Sequence, residues 1–491
     1  MNLKAEHIGA TIATGIITWL IAIVFPFSPA PEVPEEYPKP LRIVNVDSLA
    51  ALNTAIDDAR PGDHIIVKNG AYESKQYILI QVEGTPANPI VIKSESEDAV
   101  EIRGEYGFGV NGSRNLIISG FKFTHSQDNS ASTDNIVFMC NDCNGVRITH
   151  NTFALTSNYD GQADEELAGE FMADWLGVTG YSTGNRIDNN VFMQKNTKGA
   201  FLLLLGKEGR VVQNTLVDHN LFSGQLYQHG NGGECFRIGN SALGNAPGNM
   251  VMEYNTFEHC DGDREAITIK ASNNIIRYNT FRNNEGSLTF RHGNANTADG
   301  NIFIDGNNGI RVYGHDHRIV NNYFANNPMT VSSLLAPIVI GKGTVENDLS
   351  TSNSEHSQPR NILIAHNTLV NNKAAIVIGY GSGSYAPTLI TVANNIVTGS
   401  TGKMVTVYSG SSVEFSINLL YPTGSATLGD VPLSGYMNVN PQLVILDGMM
   451  VPSATSPAID AVPEAEAFGV KTDIEAKVRT GMFDLGAYEI P

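Results

Sequence analysis

The triplet Asn-x-Phe, with Phe sometimes replaced by another apolar residue, returns along this chain too often and too regularly for chance. Copies begin at Asn151, Asn190, Asn214, Asn255, Asn279, Asn301, Asn322, Asn367 and Asn395. From Asn255 to Asn322 the steps are 24, 22 and 21 residues. Longer steps elsewhere imply loops inserted into the unit. Copies follow short segments of alternating polarity, such as Asn274–Tyr278, and period two is the signature of a strand. A strand-bearing unit this short cannot bury its own apolar face, so it must stack on copies of itself. Leucine-rich repeats have a similar length, but their Leu-x-x-Leu-x-Leu frame is absent. The expected fold is all-β, a single-stranded right-handed parallel β-helix with Ile, Val, Leu and Phe pointing inward. The asparagines are expected at turns, where they tolerate left-handed backbone. Hydrogen bonds between stacked Asn side chains are a second role.

The ends do not follow the repeat. Residues 1–30 read as a signal peptide or N-terminal membrane anchor: Ile8–Phe27 is mostly apolar and Lys4 precedes it. Residues 31–40 form a Pro-rich tether. Together they predict a protein exported to the periplasm, secreted, or anchored to the membrane outside the cytoplasm. The body is expected over 41–491, starting with an amphipathic helix before Pro61-Gly62 that caps the first coil and closing with an irregular C-terminal cap. No linker divides it.

Composition narrows the function. Lys plus Arg number 31 against 50 Asp plus Glu, a formal charge of -19, which argues against a nucleic-acid binder with a broad basic face and leaves room for a local basic site. Charged residues at 16% and hydrophobic residues at 42% describe a folded chain. Cys140 and Cys143 form one Cys-x-x-Cys with no second pair, so a zinc site is not expected. Cys235 and Cys260 are either buried thiols or a disulfide.

Polar exceptions to the repeat concentrate between Cys260 and Gly293. Asp261, Asp263 and Glu265 alternate, hence share one face if the strand is regular. Carboxylates this close repel and call for compensation, which oxygen coordination of a hard cation supplies. Lys270 lies five residues after Glu265, and Arg291 lies 21 residues after Lys270, close to one coil. That spacing sets Lys270 beside Arg291 on successive coils. The plainer reading is a solvated acidic turn balanced by basic residues.

The segments "NGGECFRIG", "CDGDREAITIKAS" and "NTFRNNEGSLTFRHGN" resemble those of polysaccharide lyase family six, the β-helix lyases that include alginate lyases and the chondroitinase B type. The resemblance runs from "PGDHIIVKNGAY" over most of the body. It implies β-elimination on a 1,4-linked uronate polysaccharide, alginate before dermatan sulfate, leaving a 4,5-unsaturated end. It implies Ca²⁺ as cofactor, held by Asn231, Asp263 and Glu265, with Lys270 as base and Arg291 beside the departing O4. The family usually shows Glu-x-Glu ahead of its lysine. Asp263 keeps the charge one methylene shorter, which touches the ion's position. Arg237 matches the Arg of the family's Arg-Ile-Gly segment.

Around this core, Arg237 and Arg311 are candidates to grip uronate carboxylates, with a solvent-facing strand arginine as the plainer reading, more so for Arg311. His292, Tyr313 and His315 are candidates to line a cleft, and His229 and Glu234 to support it. Trp175 is either a sugar-stacking loop residue or, as is commoner for Trp, a buried anchor. Lys195 and Lys198 read by default as an exposed turn. Two other functions compete: a β-helix glycoside hydrolase using paired carboxylates from Asp261, Asp263 and Glu265, which leaves Lys270 and Arg291 unexplained, and a non-enzymatic carbohydrate-binding solenoid.

Overall fold

Each repeat unit makes three short strands and then returns above its own start. The unit that begins at Ile267–Lys270 continues through Ile275–Arg277 and Thr280–Arg282, and the next unit opens at Leu288–His292. Ile267 sits on Leu288 and Ile269 on Phe290, so apolar side chains stack coil on coil in register. A computed structural model describes residues 37–490 apart from 105, 126–134, 156–172, 196, 228–230, 329–335, 347–354 and 400. Its strands form three parallel sheets of 14, 13 and 14 strands, the right-handed parallel β-helix expected from the repeat. One apolar core runs inside it from Val46 to Leu420. Among the described residues no helix is long and apolar enough to cross a membrane. The expected export segment and most of the tether lie outside the described residues.

The asparagines form a ladder. Asn151, Asn190, Asn220, Asn255 and Asn279 are successive rungs, continued by Asn301, Asn322, Asn367, Asn395 and Asn418. Each side-chain amide donates to the carbonyl oxygen of the next rung at 2.9–3.0 Å. That oxygen also accepts the backbone N–H of the preceding rung. Two expectations change here. The third rung is Asn220, in Asn220-Leu221-Phe222, and not Asn214, which is exposed; Asn418 extends the ladder by one. The left-handed residue is the one before each rung, such as His219 at φ 59° or Tyr278 at φ 55°. The rung itself stays extended so that its amide points into the stack. Two residues on, the phenylalanines from Phe123 to Phe324 stack face to face at centroid spacings of 4.4–4.9 Å.

Both ends depart from the repeat. Helix Leu49–Asp57, N-capped by the Ser48 hydroxyl, lays Leu52, Ala55 and Ile56 on the first coil. After residue 437 the chain turns back along the outside of the third sheet, where Arg479 donates to the Asn321 side chain, 158 residues away. Two disulfides are present, Cys140–Cys143 and Cys235–Cys260. A shorter second ladder on another turn runs Asn274, Asn296, His317: the Asn296 N–H donates to His317 Nδ1, and His317 Nε2–H donates to the Tyr313 carbonyl.

Asn279→Ala would remove the amide's bonds to the Met252 and Arg277 carbonyls and to the next rung, and take the acceptor from the buried Asn255 N–H, costing on the order of 3 kcal/mol. Asn214→Ala should stay within about 0.5 kcal/mol. Guanidinium unfolding midpoints of the two variants check this. Burial pushes His317 down to about 4, below the unfolded value of about 6.5. The unfolded chain therefore binds that proton first, and stability falls as pH drops from about 6.5 through 4. His317→Asn, which keeps an acceptor at the rung, should flatten that part of the stability–pH profile.

Candidate active site

The 13-stranded sheet carries the polar exceptions on its outer face. Arg237, Lys270, Arg291 and Arg311 lie on the consecutive strands Phe236–Gly239, Ile267–Lys270, Leu288–His292 and Ile310–Val312. Lys270 and Arg291 reach the same cavity, but they are not register partners. A bulge after Ile269 makes His292 the partner of Lys270, so Arg291 is the extra residue of its strand.

The acidic limb comes from two turns pressed together. The strand before it ends at Cys260, and residues 261–265 are irregular, so the three carboxylates do not share a strand face. Asp261 turns away and accepts the Glu285 N–H. Asp263 and Glu265 turn toward the cavity. The turn 231–234 lies against them: a Cβ on Gly233 would fall 2.4 Å from the Gly262 carbonyl, and one on Gly262 2.6 Å from that of Gly233. Only glycine permits this approach. The Gly232 N–H donates to Asp263 at 2.8 Å, and the Cys235–Cys260 disulfide clamps the two limbs one residue from Glu234 and Asp261.

The cavity is about 1170 Å³ and is lined by Asn231, Glu234, Arg237, Asp263, Glu265 and Lys270, and further along by Arg291, Arg311 and Tyr313. Lys198, Arg264 and Lys342 add cations. Seven cations thus face three carboxylates, a local positive site on an acidic chain. Glu265 is closely partnered: one oxygen accepts from Arg291 at 2.6 Å and from Arg311, the other from the Thr268 hydroxyl at 2.8 Å. Burial alone would raise its pKa, but Arg311 and Arg291 hold it below the ordinary carboxylate value. Glu234 is the opposite case. Burial raises its pKa against the pull of Arg237, while Asp263 and Glu265 add to the rise, and its buried Oε2 has no hydrogen-bond partner among the described residues. Asp263 is raised by burial and by Glu265, although backbone N–H groups oppose this. Burial lowers Lys270; Arg291 and Arg237 lower it further, while Glu234 and Glu265 resist. Among the described residues no three His, Cys, Asp or Glu side chains are grouped to hold a metal by themselves.

Other expectations sort differently. Arg311 is no solvated strand residue: it pairs with Glu265 and lies 5.7 Å from the Tyr313 ring. His292 is buried behind the wall and, by burial and the nearby Arg291 and Lys270, lowered to about 4. His315 lies outside the cavity against Asp316. His229 lies outside the described residues. Trp175 is a core residue packed on Phe201. Lys195 is not in an exposed turn. It is fully buried, lowered by that burial to about 7, and donates to Thr197 O, Thr197 Oγ1 and Lys198 O. It thereby holds the turn that brings Lys198 over Gly232, where a Cβ would meet the Lys198 stem at 2.9 Å. His356, packed on Tyr313 with ring centroids 4.1 Å apart and planes tilted by 40°, and Lys342, Tyr380 and Tyr408 also line the cavity. No repeat position marked them, since His356 arrives on an insertion and the tyrosines lie several coils away.

The family model described as chondroitinase B matches residues 46–418. Among curated proteins, none matches the sequence. Among solved structures, the PL6 family alginate lyase AlyGC is 25% identical, with TM-score 0.72 over 90% of this chain and 57% of its own. This chain thus spans a little over half the AlyGC length. A mannuronic acid specific family 6 lyase from human gut microbiota, at 23% identity and TM-score 0.68, aligns over 78% of this chain and 87% of that one. The PL6 family polysaccharide lyase Pedsa3628 from Pseudopedobacter saltans, at 21% identity and TM-score 0.60, aligns over 80% and 97%; these last two establish the fold alone. With the family model spanning three quarters of its length, and with the β-helix and outward basic cleft described above, this chain belongs to the chondroitinase B family, polysaccharide lyase family six.

Proposed function

We propose that the protein is a polysaccharide lyase that breaks a 1,4-linked uronate polysaccharide, alginate in preference to dermatan sulfate, by β-elimination. The observation that carries this reading is a lysine with a depressed pKa, Lys270, sharing a strongly cationic cleft with Arg291. The C5 proton of a uronate is weakly acidic because it adjoins the carboxylate. Lys270 takes it, helped by the burial and neighbouring arginines that favour the neutral amine. Arg291, oriented by Glu265, meets the charge developing on O4 as that bond breaks; its own proton is too tightly held for easy donation. Arg237 and Arg311 offer paired N–H groups to substrate carboxylates. A glycoside hydrolase is disfavoured: Asp261 is outside the cavity, and the pair left to it, Asp263 and Glu265, gives Lys270 and Arg291 no role.

The donors at this site fit a Ca²⁺ ion. Among the described residues Glu234 has a buried oxygen with no partner, and Glu234 and Asp263 both carry raised pKa values in a cluster where Arg291 and Arg311 are engaged by Glu265. A hard cation relieves that imbalance. Asn231, Asp263 and Glu265 would hold it, with Glu234 beside them; Glu265 would then share its carboxylate between the ion and the arginines. When bound, Ca²⁺ supplies charge neutralisation for the substrate carboxylate. The disulfides support export, since they persist in oxidising compartments.

The test is the absorbance of unsaturated uronate during separate incubations with polymannuronate, polyguluronate and dermatan sulfate. No absorbance change with any of them rejects the reading. Lys270→Ala should lose at least about 10²-fold in rate with the fold intact. Loss with Arg291→Ala should not add to it, because both serve one transition state. The parent rate should rise with pH as Lys270 loses its proton, and level off at a lower pH than an unperturbed lysine near 10.4 would set. Chelation should lower turnover and Ca²⁺ restore it. Asp263→Glu should keep Ca²⁺ affinity by calorimetry, whereas Glu234→Gln should weaken it.

A further inference from the structure

The cleft is much longer than the cluster around Lys270, and it is lopsided. Its lining residues come from or adjoin eight consecutive strands of one sheet, from Leu202–Leu204 to Lys403–Val407. Two coils lie on the Lys198 side of Lys270. Five lie on the other side, about 24 Å at roughly 4.8 Å per coil. The chemistry changes along that length. Cations dominate as far as Lys342; beyond it the lining is Tyr380, Gly381, Ser382, Gly383 and Tyr408, with no charge.

This far end is rigidly built. Tyr380 and Tyr408 meet edge to face, with centroids 5.8 Å apart and rings at 75°. Tyr408 remains 39% exposed. The loop between them and the charged half is pinned: the Lys342 N–H donates to the Tyr380 carbonyl at 2.8 Å, and Gly343 and Tyr385 exchange backbone hydrogen bonds. A Cβ on Gly383 would sit 2.3 Å from the Gly343 carbonyl, so that approach requires glycine. Gly381, at φ 108°, has nothing within 4 Å of where a Cβ would stand, so the space above it is open.

We propose that Tyr380 and Tyr408 form a distal sugar subsite that takes the ring faces of a uronate chain continuing past the charged cluster. A sugar ring has an apolar face that stacks on an aromatic ring whatever its carboxylate does. A chain that fills the cleft on both sides of Lys270 is cut at an interior bond, and each further ring toward Tyr408 adds affinity. This rests on the lyase reading for what is cut, but not for what is bound.

The experiment measures kcat/KM on defined oligouronates from trimer to octamer, for the parent, Tyr408→Ala and Tyr408→Phe. In parallel, calorimetry follows binding of the same trimer and hexamer to Lys270→Ala and to Lys270→Ala/Tyr408→Ala. The parent should prefer hexamer over trimer, Tyr408→Ala should cut that preference about fivefold, and Tyr408→Phe should keep it. A parent whose kcat/KM is flat beyond the trimer, or a Tyr408→Ala variant with the parental preference, overturns the subsite. If the parent cleaves nothing, the binding arm decides. Length-dependent binding lost in the double variant upholds the subsite while the lyase reading fails. Equal binding of trimer and hexamer, or no binding, overturns the subsite.

Discussion

Everything in this structure depends on coils being held at the same height above one another, and the asparagine ladder sets that height. A buried amide has two donors and an acceptor with two lone pairs, and each rung uses them on its own coil, the coil below and the coil above. The stacked phenylalanines two residues later add apolar contact at the same spacing. A coil that slipped by one residue would bury polar side chains and orphan every rung it touches, so register is strongly specified.

That rigidity is what lets a neighbouring face tolerate frustration. The sheet bearing Lys270 exposes outward side chains at a fixed spacing, so cations from consecutive coils crowd into one cleft. The acidic limb is forced against them by paired glycines and a disulfide. Glu265 is stabilised by two arginines, while Glu234 is buried with an oxygen that has no partner among the described residues. A strained arrangement of this kind survives only on a scaffold that does not relax, and it is also what depresses the lysine at its centre. Lys195, buried behind the wall, extends the same logic outward by fixing the turn that carries Lys198.

The fold was legible because a stacked repeat writes its period into the chain. Strand alternation and Asn-x-Phe spacing led to the parallel β-helix. Asn214 and Asn220 both stand before apolar residues, and only the coil geometry decides which amide points inward. The site was legible where residues lie within about one coil, as Asp263, Glu265, Lys270 and Arg291 do. His356, Lys342, Tyr380 and Tyr408 reach the cleft from later coils across insertions of varying length, so no local spacing betrays them.

Sequence alone therefore determined the architecture and the chemical type of the central cluster, because both rest on local periodicity and residue identity. Tertiary structure decided which groups are satisfied and which are not. It made Arg291 rather than His292 the outward extra residue of a bulged strand, turned Asp261 away, locked Glu265 to arginines, and buried Lys195 and His292 out of the cleft. The physical reason is that burial, pKa and hydrogen-bond satisfaction are set by neighbours one coil away in space and 20 to 50 residues away in the chain.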